Sequence, residues 1–241
     1  MTVFRFRKFT VDDARCGMKI CSDSVLLAAW TFATMPREMR SRDVLRVVDV
    51  GAGSGVLSLL AASELDNADI VALELNHDAC ADAADNFGRS EWAARLKSVE
   101  GDFRLYSPLH KIDLLISNPP YFATGERSSV NVRAAARHEE TLTYGNLLEY
   151  ASLTVADNGY AAFISPADRY DEIVFASEMN RLKLRSLCRV RTSQRKPATR
   201  ILWMVSPTDG PVRETELSLR DEGGAYSAEY LRLVEHYYEK I

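Results

Sequence analysis

At 241 residues the chain is long for one domain and short for two full ones, and its 46% hydrophobic share is enough for a sizeable core. A net charge of −4 makes the average field mildly repulsive to nucleic acid, so such a partner needs a local basic patch. The longest apolar candidate, Val25 to Ala33, is far too short for a membrane span.

The N-terminus, "MTVFRFRKFTVDD", is basic but lacks the following apolar block of a secretory signal. Cys16, Cys21, Cys80 and Cys188 are scattered, with no CxxC pair and no His at ligand spacing. Reduced thiols in a cytoplasmic protein are therefore expected, with neither disulfides nor a metal site. Residues 1–44 read as an N-terminal extension holding a helix around Ser22–Ala33, and residues 45–241 as the main domain. Strands are expected at "LRVVDV" (45–50), "DIVALEL" (69–75), "LKSVEG" (96–101), "IDLLIS" (112–117), "GYAAFIS" (159–165), "LRSLCRV" (184–190) and "RILWMVS" (200–206). Between them lie helical stretches at Val56–Ser63, Asp78–Asn86, Thr143–Ala156 and Ala167–Asn180, and Tyr226–Lys240 reads as a terminal amphipathic helix. Apolar strands alternating with helices imply an α/β fold, a mainly parallel sheet covered on both faces.

"VVDVGAGSGVLSLLAA" carries Gly51, Gly53 and Gly55 between a strand and a helix. Glycines there permit a tight turn and close approach of a ligand to the helix N-terminus. The G-x-G-x-G spacing stops short of the G-x-G-x-x-G dinucleotide fingerprint. Glu74 ends the next strand, 74 − 55 = 19 residues on, where a carboxylate can accept both ribose hydroxyls of a nucleoside. Asp49 precedes the turn, and Asp102 in "EGDF" is placed to accept from an adenine amino group with Phe103 packing on the ring. Together these favour a nucleoside site, for a nicotinamide or an S-adenosylmethionine.

The strand at 112–117 runs straight into Asn118, Pro119, Pro120 and Tyr121. Two prolines cannot continue a ladder and they hold the preceding residue extended. In open α/β sheets ligands lie outside the carboxyl ends of the strands, which is where this stretch falls. An amide or exocyclic nitrogen is a poor nucleophile because its lone pair is delocalised. Two acceptors aimed at its hydrogens, the Asn118 side-chain oxygen and the Pro119 carbonyl, would pull it towards tetrahedral geometry. Tyr121 could stack on a planar substrate, which is worth about 1–3 kcal/mol for a base.

On "VVDVGAGSGVLSL" and "NPPY" the chain resembles the amino-methylating class I S-adenosylmethionine-dependent methyltransferases. The resemblance implies a Rossmann-like sheet of seven strands with the last antiparallel, and S-adenosylmethionine as cofactor. "CGMKICSDSVLLAAW" (16–30), "ARHEETLTYGNLL" (136–148) and "RTSQRKPATRILW" (191–203) are similar to the bacterial tRNA1(Val) adenine-N6 methyltransferases over nearly the whole chain. Cys21 and Ala28 stand where relatives usually have Gly. This resemblance implies methylation of an adenine beside the anticodon of a tRNA; separately, a monomer is favoured. The same NPPY motif also occurs in protein-glutamine N5 and guanine-N2 RNA methyltransferases, and a non-catalytic RNA-binding module is a further alternative.

By the same resemblance Asp23 lies near the methionine end of the cofactor; Ser22–Ser24 can equally be a plain helix cap, and the two are compatible. His138 and Glu139 either order a substrate loop or form a surface pair. Two basic stretches are candidates for RNA contact. In "FRFRKF" (4–9) a strand would turn Phe4 and Phe6 to the domain and Arg5 and Arg7 outward, either to phosphates or as a charged edge. The second is Arg181, Lys183, Arg185, Arg189, Arg191, Arg195, Lys196 and Arg200.

Overall fold

Eight strands form one sheet in a computed structural model that describes residues 3–17, 19–119 and 143–240. In chain order, β1 (Val3–Arg5) and β2 (Thr10–Asp12) form a separate antiparallel hairpin. The sheet strands are β3 (Leu45–Val50), β4 (Ala68–Glu74), β5 (Leu96–Glu100), β6 (Ile112–Ser117), β7 (Val155–Pro166), β8 (Lys183–Ser193), β9 (Ala198–Ser206) and β10 (Arg213–Arg220), in the order β10-β8-β9-β7-β6-β3-β4-β5. Strand β9 is antiparallel to both neighbours, and every other pairing is parallel.

All seven expected strands are present, and β9 is the antiparallel one. The eighth, β10, is a correction to the seven-stranded expectation. Its sequence, "RETELSLR", buries only Leu217 and otherwise alternates charge, so it reads as loop; charge of this kind is what an edge strand tolerates. It is held by parallel pairing to β8 and by the Arg191–Glu216 ion pair at 2.8 Å.

The helices are α1 (Ser22–Thr34), α2 (Arg37–Arg40), α3 (Val56–Glu64), α4 (His77–Gly88), α5 (Tyr144–Thr154), α6 (Tyr170–Met179) and α7 (Ala228–Val234). Strand alternation divides the core between the two faces. Val47, Leu114 and Ile116 join α1, α3 and α4, whereas Val48, Leu115 and Phe163 join α5 and α6. Helix α1 thus belongs to the same core as the sheet, with Val25 to Trp30 all buried.

Two boundaries differ most from the sequence expectation. Helix α5 stops at Thr154 and β7 starts at once, four residues before the expected Gly159. Gly159 sits where a Cβ would lie 2.8 Å from the Ile112 carbonyl oxygen, so the strand passes β6 closely at that point. The terminal helix covers only Ala228–Val234. Beyond it the chain turns so that the Tyr237 carbonyl accepts from the Arg7 N–H at 2.9 Å and Tyr238 bridges Phe6. Phe6 is buried as expected, while Phe4 keeps 36% of its surface exposed. Among the described residues, no helix is long and apolar enough to cross a membrane. No group of three or more His, Cys, Asp or Glu there could hold a metal ion.

Candidate active site

Parallel pairing brings the carboxyl ends of β3, β4, β5 and β6 to one edge, and with them most of the expected residues. Gly51, Gly53 and Gly55 have φ of 70°, 56° and 82°. Gly55 also packs so closely on α4 that a Cβ would lie 2.5 Å from the Phe87 ring, so no side chain is accommodated there. The turn is fixed from below by the Gly51 and Ala52 N–H groups, which donate to the Leu73 carbonyl at 2.9 and 3.1 Å.

Glu74 is buried at the end of β4. One carboxylate oxygen accepts from the Gly53 N–H and the other from the Asn76 N–H, both at 2.8 Å. Each oxygen keeps a further lone pair for a hydroxyl. Asp49 is fully buried beneath the turn; its Oδ2 accepts from the Ser58 hydroxyl at 2.8 Å, and its Oδ1 has no partner among the described residues. Burial pushes its pKa up to about 7, with the Ser58 hydrogen bonds opposing and the Glu74 charge adding to the rise.

Asp102 is more committed than the sequence suggests. Its oxygens accept from the Arg104 backbone N–H and from the Arg104 guanidinium, at 2.6 to 3.0 Å. These hydrogen bonds hold it below the usual carboxylate range. An adenine amino group would share those oxygens with Arg104. Phe103 is turned inward, edge-on to Tyr150 at 5.4 Å in the buried cluster beneath α5.

Asn118 follows the buried end of β6, where the Ser117 hydroxyl donates to the Val50 carbonyl at 2.7 Å and ties the strand to β3. The Asn118 Nδ2 donates to the Ser24 hydroxyl at 2.9 Å and to the Cys21 thiol at 3.5 Å. The donor end of the amide is thus held by the start of α1, and Oδ1 remains the acceptor end. Pro119 is buried next to it. Pro120, Tyr121, His138 and Glu139 lie outside the described residues. Asp23 accepts from the Arg200 guanidinium at 3.1 Å, and no side chain caps α1, so Ser22–Ser24 is not a plain helix cap.

A second layer had no sequence signal of its own. The segment from Asp12 to Cys16 lies over the glycine turn, with Cys16 Sγ 3.5 Å from the position of a Cβ on Gly53. Buried Asp82 on α4 accepts from the Arg15 and Cys16 N–H groups, both at 2.8 Å, and pairs with the Arg15 guanidinium at 2.6 Å. Buried Asn86 bonds both Asp12 backbone groups and the Ser54 carbonyl, at 2.8 to 2.9 Å. Only the polar residues on the inner face of an otherwise amphipathic helix hint at these roles.

The family model "Methyltransferase small domain" matches residues 32–165. The chain is 34% identical over 244 residues to the tRNA1(Val) (adenine(37)-N6)-methyltransferase of Photobacterium profundum, covering 99% of this chain and 98% of the relative. It is also 34% identical over 235 residues to the enzyme of that name from Aliivibrio fischeri, covering 98% and 97%. Among solved structures it shares its fold with a predicted O-methyltransferase of Agrobacterium tumefaciens, at a TM-score of 0.66 and 18% identity over 91% of this chain and 99% of that one. A putative RNA methyltransferase of Pyrococcus horikoshii is similar at 0.52 and 21% identity, over 75% and 80%. The nearly full-length likeness, together with a glycine turn and an Asn-Pro strand ending on one sheet edge, establishes that the chain belongs to the tRNA1(Val) (adenine(37)-N6)-methyltransferase family.

Proposed function

We propose that this protein transfers a methyl group from S-adenosylmethionine to the N6 amino group of an adenine in tRNA, the adenine its relatives' name places at position 37. The carrying observation is the Asn118 amide, whose NH2 is tied to Ser24 so that its carbonyl end is offered at the edge shared with the glycine turn. Bound S-adenosylmethionine supplies an electrophilic methyl on a sulfonium.

The chain's own groups fit that cofactor. Gly51, Gly53 and Gly55 give a turn of three left-handed residues, and at Gly55 no side chain is accommodated. Glu74 has acceptor capacity for ribose hydroxyls, and the orphaned Oδ1 of Asp49 is a buried acceptor still to be satisfied. Asp23 at the start of α1 is assigned to the methionine end, with Arg200 fixing its carboxylate. Asp102 borders the nucleobase end, whereas the Phe103 ring, turned inward, is not offered there.

Asn118 Oδ1 and the Pro119 carbonyl accept the two amino hydrogens of the adenine and hold its lone pair out of the ring system. Pro120 and Tyr121 complete the substrate loop in this reading. The adenine leaves its stack at a cost of a few kcal/mol, less in a loop than in a duplex. Holding it in place then supplies much of the acceleration. No general base is required of the chain, because an alkylated aminopurine releases its proton to water. Within residues 1–44, the stretch from Asp12 to Cys16 covers the glycine turn, while α1 is part of the main core. A tRNA substrate fits a cytoplasmic protein, and the oligomeric state favoured is a monomer.

Incubation with labelled cofactor and tRNA lacking the modification tests this reading. Label in N6-methyladenosine is expected; label in N2-methylguanosine or in a protein glutamine overturns it.

A further inference from the structure

The chain has a basic stretch, residues 181–200, with eight Lys or Arg and no acid, in a protein of net charge −4. Topology divides that stretch. Strand β8 lies parallel to β7, so Arg181, Lys183 and Arg185 are at the sheet edge opposite the site, and the β8–β9 turn emerges on the site's own edge. Half of the cations are engaged within the fold. Arg185 donates to the Thr208 and Asp209 carbonyls, Arg189 stacks on Tyr170, Arg191 pairs with Glu216, and Arg200 pairs with Asp23. Arg195 and Lys196, in the exposed turn 194–197, are the cations at the tip.

A second loop stands beside that tip. Strand β10 is parallel to β8 and ends on the same edge at Arg220. The turn that follows is tightly built. The Asp221 N–H donates to the Ala225 carbonyl at 2.9 Å, the Ala225 N–H to Asp221 Oδ1 at 3.0 Å, and the Arg220 guanidinium to the Gly224 carbonyl at 2.6 Å. It presents Tyr226, 39% exposed, with Arg220 over the ring at 4.8 Å and Tyr230 packed at 5.1 Å. Arg195 and Glu222, 3.4 Å apart and 83% and 68% exposed, join the two loops. A pair so exposed holds weakly, and a phosphate can displace Glu222. Helix α7 leaves this turn and packs against α1, whose first turn holds Asn118 and Arg200.

The other basic stretch lies elsewhere. Lys8 donates to the Ser63 carbonyl near the far end of α3, and Arg7 to the Tyr238 carbonyl.

We propose that these two loop tips dock the substrate RNA, Arg195 and Lys196 on phosphates and Tyr226 stacked on an unpaired base. The inference rests on the tRNA reading above and names the surface it uses. The test is the dissociation constant of unmodified tRNA at several salt concentrations, which needs no methyl transfer and so stands apart from the outcome of the activity assay. Arg195→Ala with Lys196→Ala should weaken binding about tenfold and flatten the log–log salt slope by about 1.4, at about 0.7 per lost single-strand phosphate contact. Tyr226→Ala should weaken binding about tenfold without changing the slope, and Tyr226→Trp should restore it. Glu222→Gln should tighten binding, since it removes the competitor for Arg195. Lys183→Ala with Arg181→Asn, which suits the Arg181 φ of 58°, should change neither quantity. All variants should keep the wild-type melting temperature. Unchanged affinity and slope in the Arg195/Lys196 variant, or a loss in the Arg181/Lys183 variant instead, overturns the proposal.

Discussion

Ser24 sets the direction of the Asn118 amide across 94 positions of sequence, so the two residues should be read together. Losing a positioned acceptor costs about 10²–10³ in rate. Asn118→Ala is therefore expected to lower kcat by that order while leaving the cofactor dissociation constant nearly unchanged, and turnover at the wild-type rate would refute the role. Ser24→Ala removes the anchor and leaves the acceptor, so a fall of about tenfold in kcat with constant KM for tRNA is expected, with Ser24→Thr close to wild type. Asp49 gives a pH prediction. Its pKa of about 7 lies above the ordinary 3.8, so between those values the folded protein holds a proton the unfolded chain has lost. Stability from this group is present at low pH and is lost as pH rises through about 7. Melting curves of Asp49→Asn should lack that decline, and the wild type should fall behind the variant as pH rises from about 4 to about 7. Glu74 and Asn118 were legible because strand-end position and residue chemistry coincide. Ser24, Asp82 and Asn86 were not, because a lone polar residue in a helix acquires a role only from what packs against it.

The glycine turn is an element-scale device, since three left-handed residues and the α3 start work as one unit. Gly55→Ala combines a φ of 82° with an approach of 2.5 Å to Phe87. Strain of about 1–3 kcal/mol is expected from the backbone alone. Thermal melting and cofactor titration should both show a loss, and adding Phe87→Ala should recover only the steric part. The strands 45–50 and 112–117 were readable because buried parallel strands are continuous apolar runs. Strand β10 escaped the same rule, because at an edge the ladder needs only one buried residue, Leu217. Helix α7 ended early for a related reason. Burying Tyr237 and pairing with the N-terminal hairpin outweighed continuing an exposed helix.

Across the whole molecule, the N-terminal hairpin and the C-terminal segment clasp each other. Phe6, Phe9 and Tyr238 stack at 4.6 to 5.9 Å, and Tyr237 is buried beneath them in the same core. Tyr237→Ala should cost about 3–5 kcal/mol by analogy with other buried aromatics. If the clasp steadies the segment over the glycine turn, the cofactor dissociation constant should rise with it, and a melting shift without that rise would separate the two. The sequence by itself determined the α/β class, the glycine turn, the acid at the end of the second sheet strand and the Asn-Pro-Pro-Tyr ending, because each is a local pattern written in adjacent residues. Only the tertiary structure decided that Ser24 holds Asn118, that Asp102 is shared with Arg104 and Phe103 turned inward, and which half of the basic stretch faces the site. Those are contacts between distant segments, and the strand directions that create them are set by packing and pairing of the sheet as a whole.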